Sequence, residues 1–183
     1  KKTGKTGALP SEYSEQLASL VQEHGTYLAI ATDKDGNVKW QERIENALTY
    51  TGQQFILNCI FKATACPALG SFYVGLYTAD PSQSTTLGTV TEHAASAGYQ
   101  RGGSPAAGAA TWTVTAFAGA NNQAYTAQIS WTATNTWTTV RGMFVATAAS
   151  GTTGTMLSYA PFSTPRSLVT GDILNVTYTL TQQ

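Results

Sequence analysis

The stretch at residues 111–183 is rich in Thr, Ala and regularly spaced aromatic residues. Its last segment, DILNVTYTLT, alternates apolar residues with asparagine and threonine, a period of two that gives a strand one buried and one outward face. Similar segments, TWTVTAFAG, AYTAQISWTAT, TWTTVRGMFVAT and GTMLSYA, are separated by Gly and Asn, which favour turns. We therefore predict a mainly β chain, an antiparallel and jelly-roll-like β-sandwich.

The residues before this stretch predict two parts, an N-terminal unit at 1–45 and a sandwich domain at 46–183 that begins with a helix. Residues 1–10 are rich in Gly and Lys and are expected to form an arm. Ser11 can cap a helix over residues 12–24. The apolar stripe of that helix comprises Tyr13, Leu17, Leu20, Val21 and His24.

A small hairpin is predicted next, over residues 26–46, with Asp35 and Gly36 at its turn. Leu28, Ile30, Val38 and Trp40 then lie near its facing strands. Asp33, Asp35 and Asn37 also resemble the start of a calcium loop. Position twelve of that loop, which needs a bidentate Glu, is Ile44. We therefore favour a turn over a calcium site.

The segment NALTYTGQQFILNCIFKATA predicts a second helix, with Thr51 and Gln54 as its capping box. Apolar residues surround the axis of this helix, so we expect it to be buried on all sides. Cys59 and Cys66 have a spacing that allows a disulfide, but we favour buried free thiols. SFYVGLYTADP is then the first strand of the sandwich domain, and a long loop of small residues follows at 81–110.

Charge is the most informative part of the composition. Charged residues make up 11% of the chain, against about 25% in an average soluble protein. Beyond Lys62 they are Asp80, Glu92, Arg101, Arg141, Arg166 and Asp172. A chain with a formal net charge of zero and so few ionic groups tends to self-associate. We infer that much of the β surface contacts other protein, the alternative being a monomer kept in solution by its hydroxyl groups.

The sequence offers little for catalysis or for other ligand classes. We expect no nucleic-acid partner because Lys and Arg form no basic patch beyond the first five residues, and no membrane segment because no long apolar run occurs. His24 and His93 are the only histidines, and we favour a solvated loop over a catalytic Glu92–His93 pair. No cofactor or metal motif is present. We therefore expect a protein that is not an enzyme.

Two groups of side chains leave alternatives open. Arg101, Arg141 and Arg166 are isolated cations, which we expect to pair with a carboxylate or carbonyl at a subunit contact. The aromatic group, which could stack on sugar rings, contains Trp112, Trp131, Trp137, Tyr99 and Tyr125. We favour the core for its tryptophans, because Trp112 and Trp131 lie in strand-like segments whose same-parity neighbours are apolar.

Several short motifs occur in the order found in a loosely defined group of tailed-bacteriophage virion proteins. They are Asn46–Gly52, Tyr73–Thr78, Gly98–Arg101, Gly154–Leu157, Thr164–Arg166 and Gly171–Leu174. The chain resembles that group over residues 46–181, although residues 102–110 interrupt the usual continuation of the Gly98–Arg101 element. The resemblance implies a structural part of a phage particle without an assigned chemistry.

These observations predict a non-enzymatic virion protein, first of all a capsid decoration or cement subunit that bridges major capsid proteins. A homotrimer is expected. The alternatives are a tail, baseplate or fibre component and a secreted carbohydrate-binding β-sandwich. The predicted interface residues are Lys1, Lys2, Lys5, Tyr13, Leu17, Leu20, Arg101, Arg141 and Arg166.

Overall fold

A computed structural model describes residues 23–62, 72–103, 112–115 and 122–182. The described strands are β1 Glu23–Thr32, β2 Val38–Glu45, β3 Ala47–Leu48, β4 Tyr73–Tyr77, β5 Trp112–Thr115, β6 Asn122–Thr126, β7 Ile129–Thr132, β8 Trp137–Ala146, β9 Met156–Leu168 and β10 Ile173–Gln182. The helix α1 spans Tyr50–Lys62, and a single 3₁₀ turn spans Ala95–Ala97.

The strands form two antiparallel sheets. In the larger sheet the order is β2-β1-β10-β6-β5, and β7 also pairs with β10. β6 and β7 share β10, since β6 pairs with residues 179–182 and β7 with residues 173–176. The smaller sheet has the order β3-β9-β8-β4. The predicted mainly β sandwich is therefore confirmed.

The alternation in the last segment gives β10 its two faces. Leu174, Val176 and Tyr178 are buried, whereas Asn175 and Thr177 are half-buried and point the opposite way. The main core contains the buried aromatic residues Tyr27, Tyr99, Trp131, Trp137, Phe162 and Tyr178. A smaller cluster consists of Tyr77, Leu87, Phe144, Ala146 and Met156.

The predicted hairpin is confirmed as β1 and β2. Asp33 Oδ1 accepts hydrogen bonds from the backbone N–H groups of Asp35 and Asn37, both at 2.9 Å, and Gly36 has a φ of 88°. The turn is thus formed by side-chain capping of backbone donors. β1 also pairs with β10 along its whole length, which joins the hairpin to the large sheet. The division of the chain after residue 45 stays a prediction.

Part of the predicted first helix is wrong. Glu23 and His24 belong to β1, where they pair with Gln182 and Thr181. The pairing with β10 therefore determines the conformation of these two residues. The rest of that helix and the arm lie outside the described residues, and so do the predicted interface residues Lys1, Lys2, Lys5, Tyr13, Leu17 and Leu20.

The helix α1 is confirmed, but its predicted cap and environment are wrong. Thr49, rather than Thr51, is the N-cap, because Thr49 Oγ1 accepts a hydrogen bond from Gly52 N at 3.0 Å. Thr51 Oγ1 instead donates to Met156 O on β9 at 3.1 Å. Leu57 is 46% exposed, so the helix is not buried on all sides. Among the described residues, α1 packs against β9, the centroid of its Phe55 ring lies 6.3 Å from that of the Phe72 ring, and Tyr50 N donates to Gln83 O.

The expectation of a free thiol at Cys59 is also wrong, because Cys59 is disulfide-bonded. Cys59 is half-buried on α1. Cys66 lies outside the described residues. The covalent bond at Cys59 lies near the C-terminal end of this helix, whereas the hydrogen bonds of Thr49 and Thr51 fix its start.

Candidate functional site

The long loop after β4 covers the outer edge of that strand. His93 N donates to Leu76 O at 2.9 Å, and Gly102 N donates to Val74 O at 2.7 Å. Tyr77 also forms an isolated antiparallel bridge with Glu92. These bonds satisfy backbone groups that an open strand edge would leave free. The described part of the predicted loop, residues 81–103, is therefore packed against the sandwich.

Arg101 holds this loop from inside the molecule. Its side chain is 2% exposed and forms a salt bridge with Glu92. Arg101 Nη1 donates to Ala148 O at 2.6 Å, and Nη2, which also binds Glu92, donates to Gly151 O at 3.1 Å. The guanidinium lies 5.4 Å from the centroid of the Phe144 ring. The carboxylate and carbonyl partners expected for Arg101 are thus found within the chain. Its predicted interface role stays a prediction.

Tyr99 completes the cluster around Glu92. Its hydroxyl donates to Glu92 Oε1 at 2.6 Å and accepts from Leu76 N at 2.9 Å. Burial and the neighbouring Glu92 charge raise the pKa of Tyr99 well above its ordinary value. Tyr99 and Arg101 both belong to the Gly98–Arg101 motif, and their spacing of two places them on the same side, towards Glu92. The motif therefore has a structural role in closing the loop.

The alternative of a sugar-binding platform is wrong for those described aromatic residues that lie in the core. Trp131 and Trp137 are fully buried, and Tyr99 is 2% exposed. Both indole N–H groups donate to the loop backbone: Trp131 to Gln100 O at 2.6 Å and Trp137 to Ala97 O at 2.8 Å. The side chain of Trp112 lies outside the described residues, whereas Tyr125 is exposed on β6.

A pocket of about 590 Å³ opens beside this cluster. It is lined by Glu92, His93, Ala95, Tyr99, Gln100, Arg101, Ala149, Ser150 and Gly151. The ring of His93 lies 4.6 Å from that of Trp137, and burial lowers the pKa of His93, which favours the neutral imidazole. Because Glu92 accepts hydrogen bonds from Tyr99 and Arg101, both oxygen atoms of its carboxylate are already bound within the loop. His93 and Glu92 are half-buried, which corrects the prediction of a solvated loop at this point.

The two other arginines also have carboxylate partners within the chain. Arg141 binds Asp80 through two hydrogen bonds, at 2.9 and 2.6 Å. The hydrogen bonds from Arg141 hold the pKa of Asp80 below its ordinary value. The expected carboxylate pairing of Arg141 is thus found inside the chain. Its role at an interface stays a prediction.

Arg166 connects β9 with the hairpin. Its Nη2 donates to Glu42 Oε2 at 2.7 Å, and its guanidinium lies 4.9 Å from the centroid of the Trp40 ring. Burial opposes ionisation of Glu42, but the hydrogen bonds from Arg166 and from the backbone of Ser163 outweigh it and lower the pKa of Glu42. The pair therefore joins the two sheets at one side of the sandwich. The predicted interface role of Arg166 stays a prediction.

One further ion pair was not predicted. Lys39 on β2 binds Asp172, whose carboxylate also accepts from Val169 N at 2.8 Å. The Gly-Asp sequence predicted only a turn, and the contact with Lys39 depends on the distant pairing of β1 with β10.

Among the described residues, no group of three or more His, Cys, Asp or Glu could hold a metal ion. Within the same residues, no helix has the length and hydropathy needed to cross a membrane.

Comparison with known proteins gives the family. A family model described as podophage GP4 fiber I protein gp80 matches residues 46–182. No curated protein matches the chain. The matched range contains α1 and every described strand from β3 to β10, and it agrees with the 46–181 range of the phage motifs. The chain is thus a phage structural protein and a component of the virion, and it belongs to the podophage GP4 fiber I protein gp80 family.

Proposed function

We propose that this chain is a non-enzymatic building block of a phage fibre. The observation that carries the proposal is the match to a fibre protein family over residues 46–182, which include most of the sandwich. A fibre subunit needs a rigid body and surfaces that contact neighbouring subunits. The two packed sheets provide the body, and their low ionic content suits contact with other virion proteins.

The ion pairs support the non-enzymatic part of the proposal. Acid–base catalysis requires a carboxylate or imidazole that can reach a substrate and exchange a proton. Glu92, Asp172 and Glu42 instead accept hydrogen bonds from a cation and from the backbone or a tyrosine hydroxyl of the same chain. These groups fasten a loop, a turn and the hairpin to the sandwich.

Capsid decoration, the first expectation from the sequence, differs from the fibre role in location. A decoration subunit lies across joints between major capsid proteins, whereas a fibre subunit extends from the particle. The family description favours the fibre. We expect the chain to form a homo-oligomer in either location, and the trimer predicted from the sequence is the stoichiometry to test by native mass spectrometry.

Location in the virion is tested by labelling the hairpin turn. Asp35 and Gly36 are exposed, and no atom lies within 4 Å of the position that a Cβ of Gly36 would occupy, so a short peptide tag inserted there should leave the sheets intact. Phage that carry the tag are imaged with gold-labelled antibody, and untagged phage are the control. Gold on fibres supports the proposal. Gold spread over the head supports decoration, and unlabelled particles that lack the protein by mass spectrometry contradict both roles.

The non-enzymatic part is tested separately. Purified chain is incubated with surface polysaccharide from the host cell, and the length of the polysaccharide is followed by size-exclusion chromatography. We expect an unchanged elution profile. Shortening of the polysaccharide that survives rigorous purification of the protein would contradict a purely structural role.

A further inference from the structure

The large sheet has an outer face that differs from the rest of the molecule. On β1, Tyr27, Ala29 and Ala31 are buried, so the side chains between them point away from the core. The strand pairings place the corresponding residues of the neighbouring strands on the same side. This outer face comprises Thr26, Leu28, Ile30, Thr32, Thr113, Gln123, Tyr125, Ser130, Thr132, Ile173, Asn175, Thr177, Thr179 and Thr181.

None of these fourteen described residues carries a charge. The nearest outward charges are on the edge strand β2, where Arg43 pairs with Leu28 and Glu45 pairs with Thr26. These two charges have opposite signs and cancel. The outer face therefore offers no net charge to an acidic or basic partner.

The polar groups of the outer face suit a surface of the same kind. A threonine hydroxyl can both donate and accept a hydrogen bond. Asn175 already accepts a hydrogen bond from Ser130 at 2.7 Å, so the threonines provide the groups that can pair with a partner. Two such faces can satisfy each other's hydrogen bonds. A strongly charged partner would instead bury its charges against groups that cannot neutralise them, at a high desolvation cost.

The size of the face fits a small contact between two protein chains. β1 and β10 have ten residues each, which corresponds to a length of about 33 Å. Because β6 and β7 both pair with β10 and lie end to end, the face is four strands wide, about 19 Å at about 4.8 Å per strand. β5 is shorter, so the face covers roughly 500–600 Å². Two such faces in contact bury roughly 1,000–1,200 Å² in total, which is at the lower end of specific protein–protein interfaces.

We propose that this outer face binds a second copy of the same chain. Leu28 and Tyr125, which are 40% and 36% exposed, are its two large exposed apolar side chains among the described residues. Leu28 pairs with Thr177, and Tyr125 pairs with Thr179, so both lie beside the centre of β10. Leu28 and Tyr125 are the anchors of the contact between the two copies. The hydroxyl groups around them lose their contact with water when the two copies bind. The inference rests on the proposed role as a fibre subunit.

The test compares a charge placed on the outer face with one placed elsewhere. Thr177→Lys puts a cation at the centre of β10, and Thr138→Lys puts one at an exposed position of β8 in the other sheet. Association of the full chain is measured by sedimentation velocity over a range of concentrations. We expect wild type and Thr138→Lys to form the same dimer, because two identical faces in contact are related by a two-fold axis. Thr177→Lys should weaken association by about 100-fold, because an unpaired charge is buried at the contact.

A second variant controls for the case in which Thr177→Lys misfolds. Leu28→Ser removes an exposed anchor without adding a charge, and we expect it to weaken association by about tenfold with an unchanged far-ultraviolet circular dichroism spectrum. Wild type that stays monomeric at high concentration would overturn the inference. Equal association of wild type and both outer-face variants would overturn it as well.

The failure of this inference is distinguishable from failure of the fibre role. The same variants are introduced into phage and located with the gold label described above. If wild type lies on fibres and Thr177→Lys lies there in equal amount and associates normally, the outer face is not the contact, and the fibre role stands. If wild type is absent from fibres, the proposed function fails, whatever the sedimentation result.

Discussion

The loop over β4 and the outer face of the large sheet use polar residues in opposite ways. The loop contains a nearly buried cation, Arg101, and a carboxylate, Glu92, that bind each other and the backbone. The described outer face has fourteen residues without a charge. In the loop the polar groups find their partners within the chain. On the outer face Ser130 donates to Asn175, whereas the threonine hydroxyls are groups that can both donate to and accept from another protein.

This difference explains where a chain with few charges places them. A buried ion pair is expensive to desolvate, and it is retained when it fixes one conformation. Arg166–Glu42 and Lys39–Asp172 join distant segments, and Arg101–Glu92 closes the loop over β4. Charges therefore define the body of the subunit, and the surfaces free of charge are available for assembly.

The largest expected effect comes from breaking the loop cluster. Arg101→Met removes the cation but leaves Glu92 partly buried, so we expect the free energy of unfolding to fall by about 3 kcal/mol. Arg141→Met is the matched control, because it breaks the more exposed pair with Asp80 and should cost less than about 1 kcal/mol. Both values are measured by urea denaturation. Equal losses for the two variants would show that burial does not distinguish the two pairs.

Two threonine substitutions compare a buried hydroxyl group with one on the outer face of the large sheet. Thr49→Val removes the N-cap of α1 and its contact with β9, and we expect a loss of about 1 kcal/mol in the free energy of unfolding. Thr177→Val on the outer face should change it by less than about 0.5 kcal/mol. Thermal unfolding of the two variants measures both effects. A larger loss for Thr177→Val would mean that the outer hydroxyl stabilises the chain itself.

The sequence predicted what depends on local pattern. The alternation in β10, the turn after Asp33 and the strand at Tyr73 are all correct, because side-chain parity and turn chemistry act over a few residues. The burial of Trp131 followed from the same parity argument. The family range was found from ordered motifs, of which Gly98–Arg101 closes the loop over β4.

What the sequence did not predict depends on contacts between distant residues. Thr49 rather than Thr51 caps α1 because the backbone N–H of Thr49 donates to Leu157 O on β9 and so sets where the helix begins. His24 is in a strand because β10 offers it a partner, Thr181. The partners of Arg166 and Lys39 are more than a hundred residues away in the sequence. No local pattern gives such pairings.

The pH dependence of one ion pair gives a smaller effect. Because the pKa of Glu42 lies below its ordinary value of 4.5, its contribution is present above that pH and is lost as the pH falls through the lower, folded-state pKa. We expect Glu42→Gln to be about 1 kcal/mol less stable than wild type at neutral pH. The difference should shrink steadily below pH 4.5. Urea denaturation across this range measures it, and a difference that grows on acidification would contradict the assignment.

The smallest expected effect is that of salt on self-association. An interface formed by uncharged groups contains few charge pairs for ions to screen, so raising NaCl from about 0.05 M to about 0.5 M should change the dissociation constant by less than about threefold. Arg43→Gln, at the edge of the outer face, should leave association unchanged within about twofold. Sedimentation velocity measures both. Strong dissociation in salt, relieved by Arg43→Gln, would mean that the charges of β2 carry the contact. The outer face would then resemble the loop over β4, and the contrast between the two regions would disappear.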